Sequence, residues 1–287
     1  MMKTWKRMTL AAIVGVTAWG SVLAGTGLES VSAAPNAVPS YEVKFSARPE
    51  AVLTPDRQVR PEVIQQLGVS STPLAIGVAY FDTDDLALNE QGWNVRFRKK
   101  ADKNNYELTF KKRYPIINGD IDAALTLANK EGFDSSDDNY EAEIDWGYSR
   151  QTLSFSNEKK VSVNMAGPQL PSEQVMLSHL LDKLPGKLNK WSAPNWGKQM
   201  LSQSRSYGPV VFDRYEGQWQ GVKMTLEVWP IRNSSGTGTE DFIEVSFKTA
   251  DRNVATRLRA ELLELLESNG WLLPGDDLKT QLILERY

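Results

Sequence analysis

The chain has 287 residues, with 33 basic and 36 acidic side chains, a single histidine and no cysteine, and its formal net charge is −3. An acidic total argues against a protein that binds nucleic acid or an anionic membrane through bulk charge. The cysteine and histidine counts exclude disulfides, cysteine nucleophiles, histidine triads and histidine-rich zinc sites. Any chemistry must therefore come from carboxylates and from lysine or arginine cations.

The first 33 residues have the order of an export signal. Lys3, Lys6 and Arg7 precede a mostly apolar run at 8–24, and small residues continue to Ala33, after which we expect cleavage. Retention of the run as a membrane anchor is the alternative, because about 18 apolar residues can span a bilayer. We expect an extracytoplasmic protein that is secreted, periplasmic or in the cell envelope, with no membrane association once the signal is cleaved.

After a Pro/Ala/Asn linker at 34–39, residues 40–287 are expected to form one folded domain. Alternation of polar and apolar residues predicts strands at 40–45, 74–83, 93–100, 106–116, 140–148, 150–156, 208–217, 219–231 and 241–248. Helical spacing predicts helices at 61–67, 119–133, 172–184 and 251–270. This order favours an α+β domain built on an antiparallel sheet or barrel.

The first predicted strand, SYEVKF, and the last, which contains IEVSFK, each place charged residues on one face. Glu42 and Lys44 share a face of the first, and Glu244 and Lys248 share a face of the last. Two interpretations are open. The charged faces can meet water on half-buried strands, or the sheet can close so that its polar face surrounds a ligand.

Cations also recur on the inner strands. Arg96 and Arg98 share one face of VRFR, and Lys111 lies on one face of LTFKKR. If these faces converge, the mixture of cations and carboxylates suits a polyphosphate, with hard divalent ions bridging its oxygens. The segment EAEIDW, at 141–146, aligns three further carboxylates. A solvated strand face is their commoner use, and a metal cluster is the alternative.

Three segments carry a family resemblance: the E-x-K of SYEVKF, then YFDTDDLALNEQGWNVRFRKK, then LTFKK. In this order they resemble the CYTH domain superfamily, the triphosphate tunnel metalloenzymes. The resemblance implies an α+β fold with an eight-stranded antiparallel β-barrel or tunnel and flanking helices. It also implies divalent-metal-dependent chemistry on triphosphate groups.

The resemblance implies site residues as well. A small phosphate-rich anion would bind to Lys44, Arg96, Arg98, Lys111, Arg214 and Lys248. Mg²⁺ or Mn²⁺ would bind to Glu42, Glu244 and Glu227. The chain departs from the family at Ser40 and Ser246, where the signature motifs have glutamates. Anion binding is therefore better supported than metal catalysis.

Three functions stay open. The chain can be a metal-dependent triphosphatase, a non-catalytic extracytoplasmic binding or structural protein on the same barrel, or an unrelated secreted β-rich domain. Both phosphate-related functions require Glu42, Arg96, Lys111 and Glu244 to point into one cavity.

Overall fold

The computed structural model describes residues 34–276 and 279–287. The predicted export signal and its cleavage site fall outside these ranges, so both stay predictions. In the described part of the chain, no helix combines the length and apolar character needed to cross a bilayer.

Strands form the main part of the structure. They are β1 Ser40–Ala47, β2 Leu74–Asp82, β3 Trp93–Lys100, β4 Asn105–Pro115, β5 Glu141–Trp146, β6 Gln151–Ser162, β7 Arg205–Trp219, β8 Val222–Arg232, β9 Thr239–Thr249 and β10 Leu272–Leu273. The helices are α1 Pro49–Val52, α2 Pro61–Leu67, α3 Ala87–Glu90, α4 Ile121–Lys130, α5 Glu173–Asp182, α6 Gly186–Asn189, α7 Trp196–Ser202, α8 Arg252–Ser268 and α9 Lys279–Arg286, with a 3₁₀ turn at Ile117–Gly119. All the predicted strands and helices are present, and the structure adds α1, α3, α6, α7, α9, β10 and the 3₁₀ turn.

The sheet closes on itself. Its order is β1-β5-β6-β4-β3-β2-β7-β8-β9, and β9 pairs back onto β1, with Glu42 opposite Lys248 and Ser46 opposite Glu244. The short β10 adds to the end of β1. Closure confirms the predicted CYTH-like tunnel in an α+β fold.

Two details of the predicted barrel are wrong. Nine strands, not eight, form the ring, because both β5 and β6 enter it as a hairpin. The pairing of β1 with β5 is parallel, whereas the other pairings are antiparallel. A parallel neighbour needs a long crossover connection, and β2 to β4 with α4 supply one here.

The outer face of the barrel is apolar and is covered by helices. On β1, Val43 and Phe45 are buried in the main core, to which α8 contributes Leu258, Leu262 and Leu266, all fully buried. Helix α8 begins at an N-cap, because the carboxylate of Asp251 accepts hydrogen bonds from the first backbone amides of the helix. Burial of this outer face leaves the alternate residues of each strand pointing into the barrel.

A second apolar cluster lies on the inner face, at one end of the barrel. Val78, Phe212 and Trp229 belong to it, and each is two residues from a side chain that lines the lumen, so each points inward. Ile283 and Leu284 of α9 pack into this cluster and are buried. Helix α9 therefore closes that end of the barrel.

Candidate functional site

A cavity of about 270 Å³ lies inside the barrel and is lined by charged side chains. All nine predicted site residues line it: Lys44, Arg96, Arg98, Lys111, Arg214, Lys248, Glu42, Glu244 and Glu227. Glu42, Arg96, Lys111 and Glu244 thus point into one cavity, as both phosphate-related functions require. The interpretation of these strands as an open, solvated sheet is wrong, because the sheet closes.

The lumen is almost balanced in charge. Its described lining has nine basic residues, Lys44, Arg96, Arg98, Lys111, Arg113, Arg214, Lys223, Lys248 and Lys279. It has eight acidic residues, Glu42, Glu141, Glu143, Asp145, Glu158, Glu216, Glu227 and Glu244. Charges removed from water need partners, and most of these residues form ion pairs with one another. A ligand can therefore bind, without displacing an ion pair, only to those cations whose N–H donors are not all used in such ion pairs.

Three carboxylates from β1 and β5 form a group that we call the β1–β5 acid cluster: Glu42, Glu143 and Asp145. Their oxygens lie within 4.8 Å of one another. Strand lysines surround them, with Lys44 Nζ 2.6 Å from Asp145 Oδ1, Lys248 Nζ 2.5 Å from Glu143 Oε2, and Lys111 Nζ 3.5 Å from Glu143 Oε1. The cluster is therefore held together by cations of the barrel itself.

Asp145 is the most enclosed member of this cluster. It is 6% exposed, and its Oδ2 is buried without a hydrogen-bond partner among the described residues. Burial alone would raise the pKa of Asp145, but the ammonium groups of Lys111 and Lys44 hold it well below its ordinary value. The carboxyl is thus a buried anion whose Oδ2 accepts no hydrogen bond from the described residues and lies 3.9 Å from the Lys111 ammonium. The expectation that the acidic face of EAEIDW is solvated is wrong, because β5 turns that face into the lumen.

Glu227 and Glu244, which we call the β8–β9 pair, face each other across neighbouring strands. Arg214 donates to Glu227 Oε1 from Nε at 2.8 Å and from Nη2 at 2.6 Å, and Trp229 Nε1 donates to Glu227 Oε2 at 2.8 Å. Lys279 Nζ donates to the same Oε2 and, at 2.8 Å, to Glu244 Oε1. Both carboxylates are therefore bound to cations.

The pKa of Glu227 follows from these contacts. Burial would raise it, but the charges of Lys279 and Arg214 lower it far below its ordinary value. Burial likewise would lower the pKa of Lys279, and Glu227 and Glu244 raise it instead. Sequence reasoning missed Lys279, which no strand carries.

Arginines of β3 and β4 line another part of the wall. Arg98 forms a two-point ion pair with Glu107, through Nε at 2.8 Å and Nη2 at 2.6 Å. Burial, with repulsion from Arg96, lowers the pKa of Arg98 to about 10. Arg98 is therefore largely committed to a protein partner.

Arg96 and Arg113 keep donors free. Arg96 donates from Nη2 to Thr109 Oγ1 at 3.0 Å, and its Nε is buried without a partner among the described residues. Its nearest carboxylate, Glu158, is 3.8 Å away. The side chain of Arg113 has no hydrogen bond or ion pair within residues 34–276 and 279–287, although it lines the lumen. Arg113 shares a strand face with Lys111, and that alternation was the sequence signal for it.

The two carboxylate groups differ in their fit to a divalent metal. The β1–β5 acid cluster offers closely spaced oxygens and is compatible with Mg²⁺ or Mn²⁺ once Lys44, Lys111 and Lys248, strand lysines that bridge its carboxylates, turn away. The β8–β9 pair does not fit, because Lys279 already lies between its two carboxylates. The predicted metal ligands are thus divided, since Glu42 belongs to one group and Glu227 and Glu244 to the other. Ser40 and Ser246 line the cavity without supplying a carboxylate.

The most specific segment of the family resemblance has a structural use. Asp82 Oδ1 accepts from the backbone amides of Thr83 at 2.8 Å and Leu88 at 2.9 Å, and Oδ2 accepts from Asn89 at 2.9 Å. These bonds fix the turn that leads into α3. In this part of the segment only Tyr80 reaches the lumen wall, among the described residues.

The closed barrel and its charged lumen have the tunnel architecture that the sequence resemblance implied. No protein-family model and no curated protein sequence matches the chain.

Solved structures with a similar arrangement have low sequence identity. A Bacillus halodurans protein named as a candidate adenylate cyclase has a TM-score of 0.46 and 18% identity over 87% of this chain and 98% of its own. HpAC1 from Hippeastrum, described as a candidate adenylyl cyclase with a dominant triphosphatase activity, has a TM-score of 0.43 and 16% identity over 86% of this chain and 99% of its own. PH1819 from Pyrococcus horikoshii OT3 has a TM-score of 0.42 and 15% identity over 86% of this chain and all of its own.

Proposed function

We propose that the lumen binds a small phosphate-rich anion, of the triphosphate or polyphosphate type. The observation that carries this proposal is the pair of lumen arginines: Arg96 Nη1 and the whole guanidinium of Arg113 have no hydrogen-bond or ion-pair partner among the described residues. A guanidinium is planar and remains charged, and its donor fork matches phosphate oxygens. A barrel that served only as a scaffold would not need unfilled cationic donors in its interior.

The size of the cavity supports a small ligand. Its volume of about 270 Å³ is near the lower end of small-molecule sites, which are commonly about 300–1,000 Å³. The numbers of acidic and basic residues in the lining are nearly equal, so the lumen does not attract every anion through net charge. An anion must instead replace the contacts that the cations already make, which favours selective binding. Lys111 and Lys248 contact Glu143 from the lumen wall, and we propose that each can turn from this carboxylate to a phosphate oxygen.

Metal-dependent hydrolysis of the bound anion is a second candidate function. The observation that favours it is the β1–β5 acid cluster, whose Asp145 Oδ2 accepts no hydrogen bond from the described residues. Glu42, Glu143 and Asp145 would hold a Mg²⁺ or Mn²⁺ ion, which would offset the charge on the phosphate. Arg96 and Arg113 would hold the anion and stabilise the negative charge that develops on it. Without turnover, the same lumen is that of a binding protein.

Two measurements test these functions together. Tripolyphosphate is expected to raise the melting temperature of the protein, because a ligand that binds only the folded state stabilises it. Phosphate release from tripolyphosphate and nucleoside triphosphates, with and without Mg²⁺ or Mn²⁺, separates hydrolysis from binding. Stabilisation without release selects the binding protein. If tripolyphosphate neither stabilises the protein nor is hydrolysed by it, both proposals are contradicted.

One variant links the two measurements to the site. Arg96→Ala is expected to abolish release and to weaken the thermal shift while the protein stays folded. Lys198→Gln, at an exposed position of α7 outside the lumen, is the matched control and is expected to leave both unchanged. Equal behaviour of Arg96→Ala and the natural protein would remove Arg96 from the site.

We also propose that the protein acts outside the cytoplasm, on the basis of the basic, apolar and small-residue order of residues 1–33. The mass of the protein recovered from the cells that produce it tests this proposal. We expect the mass of a chain whose N-terminus follows Ala33. An intact N-terminus in a cytosolic fraction would contradict it.

A further inference from the structure

The β8–β9 pair places two carboxylates where each needs a positive neighbour. Glu227 and Glu244 are register partners on adjacent strands, and their side chains are 4% and 10% exposed. Like charges that face each other across a sheet are destabilising, and buried carboxylates without partners cost much more. A cation must therefore lie between them, and either a divalent metal ion or a basic side chain can supply it.

In this chain the cation is the ammonium of Lys279. It contacts Glu227 Oε2 and lies 2.8 Å from Glu244 Oε1, and it is also 4.9 Å from the centre of the Trp229 ring. With Arg214 on Glu227 Oε1, two positive charges meet two negative charges. Three of the four carboxylate oxygens, both of Glu227 and Oε1 of Glu244, are thus already bonded to protein donors.

Helix α9 holds this ammonium in place. Ile283 and Leu284 are buried in the inner apolar cluster, so the helix cannot shift without exposing them. The end of the helix is tied to β8, because Arg286 Nη1 donates to Arg232 O at 3.0 Å and Arg232 Nη1 donates to Arg286 O at 2.9 Å. Lys279 at the first residue of α9 therefore has a fixed direction into the lumen.

We infer that Lys279 is a built-in substitute for a divalent metal ion at Glu227 and Glu244, and that these two carboxylates form a latent metal site which α9 keeps filled. Any divalent ion in the natural protein is then confined to the β1–β5 acid cluster, whose lysines come from the strands. This inference does not depend on anion binding, and its test contains no phosphate.

The test is a titration of the chelator-treated protein with Mn²⁺, with free Mn²⁺ followed by electron paramagnetic resonance. Lys279→Met removes the ammonium and keeps a long apolar side chain. It is expected to bind one more Mn²⁺ per chain than the natural protein, because two carboxylates with hard oxygen ligands become available. Addition of Glu244→Gln to this variant is expected to abolish the gain.

Two controls separate the loss of charge from a disturbance of the helix. Lys279→Arg keeps a cation between the carboxylates, and Gln281→Met changes an exposed position of the same helix. Neither is expected to gain a Mn²⁺ ion. A Lys279→Met protein that binds no more Mn²⁺ than the natural protein would overturn the inference.

A second comparison covers a Lys279→Met variant that does not fold. Glu244→Gln in the otherwise natural protein is expected to leave the number of bound Mn²⁺ ions unchanged, since Lys279 already excludes metal from that position. Loss of a Mn²⁺ ion in Glu244→Gln would show that the natural site holds metal, and would overturn the inference. Folding of Lys279→Met only when Mn²⁺ is present would support it.

Discussion

The two carboxylate groups of the lumen solve the same electrostatic problem in different ways. The β1–β5 acid cluster is balanced by Lys44, Lys111 and Lys248, which belong to the barrel strands. The β8–β9 pair is balanced in part by Lys279, which α9 brings in from outside the ring. A cation on a strand can turn along the lumen toward a ligand, whereas one at the start of a packed helix is fixed. The β1–β5 acid cluster is therefore suited to exchanging its lysine contacts for contacts with a ligand, and the β8–β9 pair is suited to stabilising the fold.

Exposure separates Lys248 from the other lysines of the two groups, because Lys44 and Lys111 are 18% and 17% exposed, about as little as Lys279. Lys248 at the β1–β5 acid cluster is 55% exposed, whereas the side chain of Lys279 is 20% exposed and its partner Glu227 is 4% exposed. Ion pairs in water contribute little to stability, whereas removal of one partner from a buried pair is costly. Substitutions of Lys248 and of Lys279 should therefore have very different effects on the free energy of unfolding.

The largest effect is expected at α9. Lys279→Met should lower the free energy of unfolding by about 3 kcal/mol in metal-free buffer, because it leaves the two buried carboxylates with Arg214 as their one ion-pair partner among the described residues. Chemical denaturation measures this. The control Gln281→Met should stay within about 0.5 kcal/mol of the natural protein. If both variants have the same free energy of unfolding, the ion pairs of the β8–β9 pair do not stabilise the protein, and the contrast between the two carboxylate groups is wrong.

A smaller effect is expected at the buried pair of Arg98 and Glu107, which is carried entirely by the barrel. Glu107→Gln should cost about 2 kcal/mol at pH 7, because Arg98 loses its buried counter-charge. Burial would raise the pKa of Glu107, but Arg98 and Lys100 together lower it below its ordinary value of 4.5.

The direction of this pKa shift sets the pH dependence. The contribution of Glu107 is fully present above the pKa of the unfolded chain and is lost as the pH falls through the lower pKa of the folded protein. The difference in melting temperature between the natural protein and Glu107→Gln should thus be large at pH 7 and shrink at about pH 3. A difference that stays constant with pH would mean that the pair acts through packing, not charge.

The smallest effect on stability is expected at Lys248. Lys248→Met should change the free energy of unfolding by less than about 1 kcal/mol, since the ammonium is more than half exposed. Thermal and chemical denaturation beside Lys279→Met give the comparison directly. A loss as large as that of Lys279→Met would show that both carboxylate groups are structural.

Most of the barrel could be predicted from the sequence, because apolar and polar residues alternate along each long strand that has one apolar face. The same alternation placed Arg96, Lys111 and Glu244 on faces that converge once the sheet closes. It could not show that β5 pairs in parallel with β1, which is what turns Asp145 inward. A solvated strand face and a face that lines the lumen show the same alternation of polar and apolar residues. Whether the polar face is buried therefore depends on the topology of the sheet.

Lys279 could not be predicted for a different reason. The segment KTQLILER, at 279–286, contains a short apolar run that does not specify where it packs. Its place at the end of the barrel depends on the inner apolar cluster, which strands distant in sequence assemble. Ser40 and Ser246 signalled a reduced metal site, and the structure adds that a helix, not a strand, supplies a cation at the β8–β9 pair.

The proposal that the lumen binds a phosphate-rich anion is tested most directly by calorimetric titration of the protein and of Arg113→Gln with tripolyphosphate. Arg113 is the informative position because its side chain has no ion pair in the described part of the chain, so its substitution should remove ligand contacts without breaking protein ones. We expect measurable binding by the natural protein and a loss of about tenfold in affinity in Arg113→Gln, as for one charge-assisted contact. Absence of binding, or equal affinity of the two proteins, would contradict the proposal.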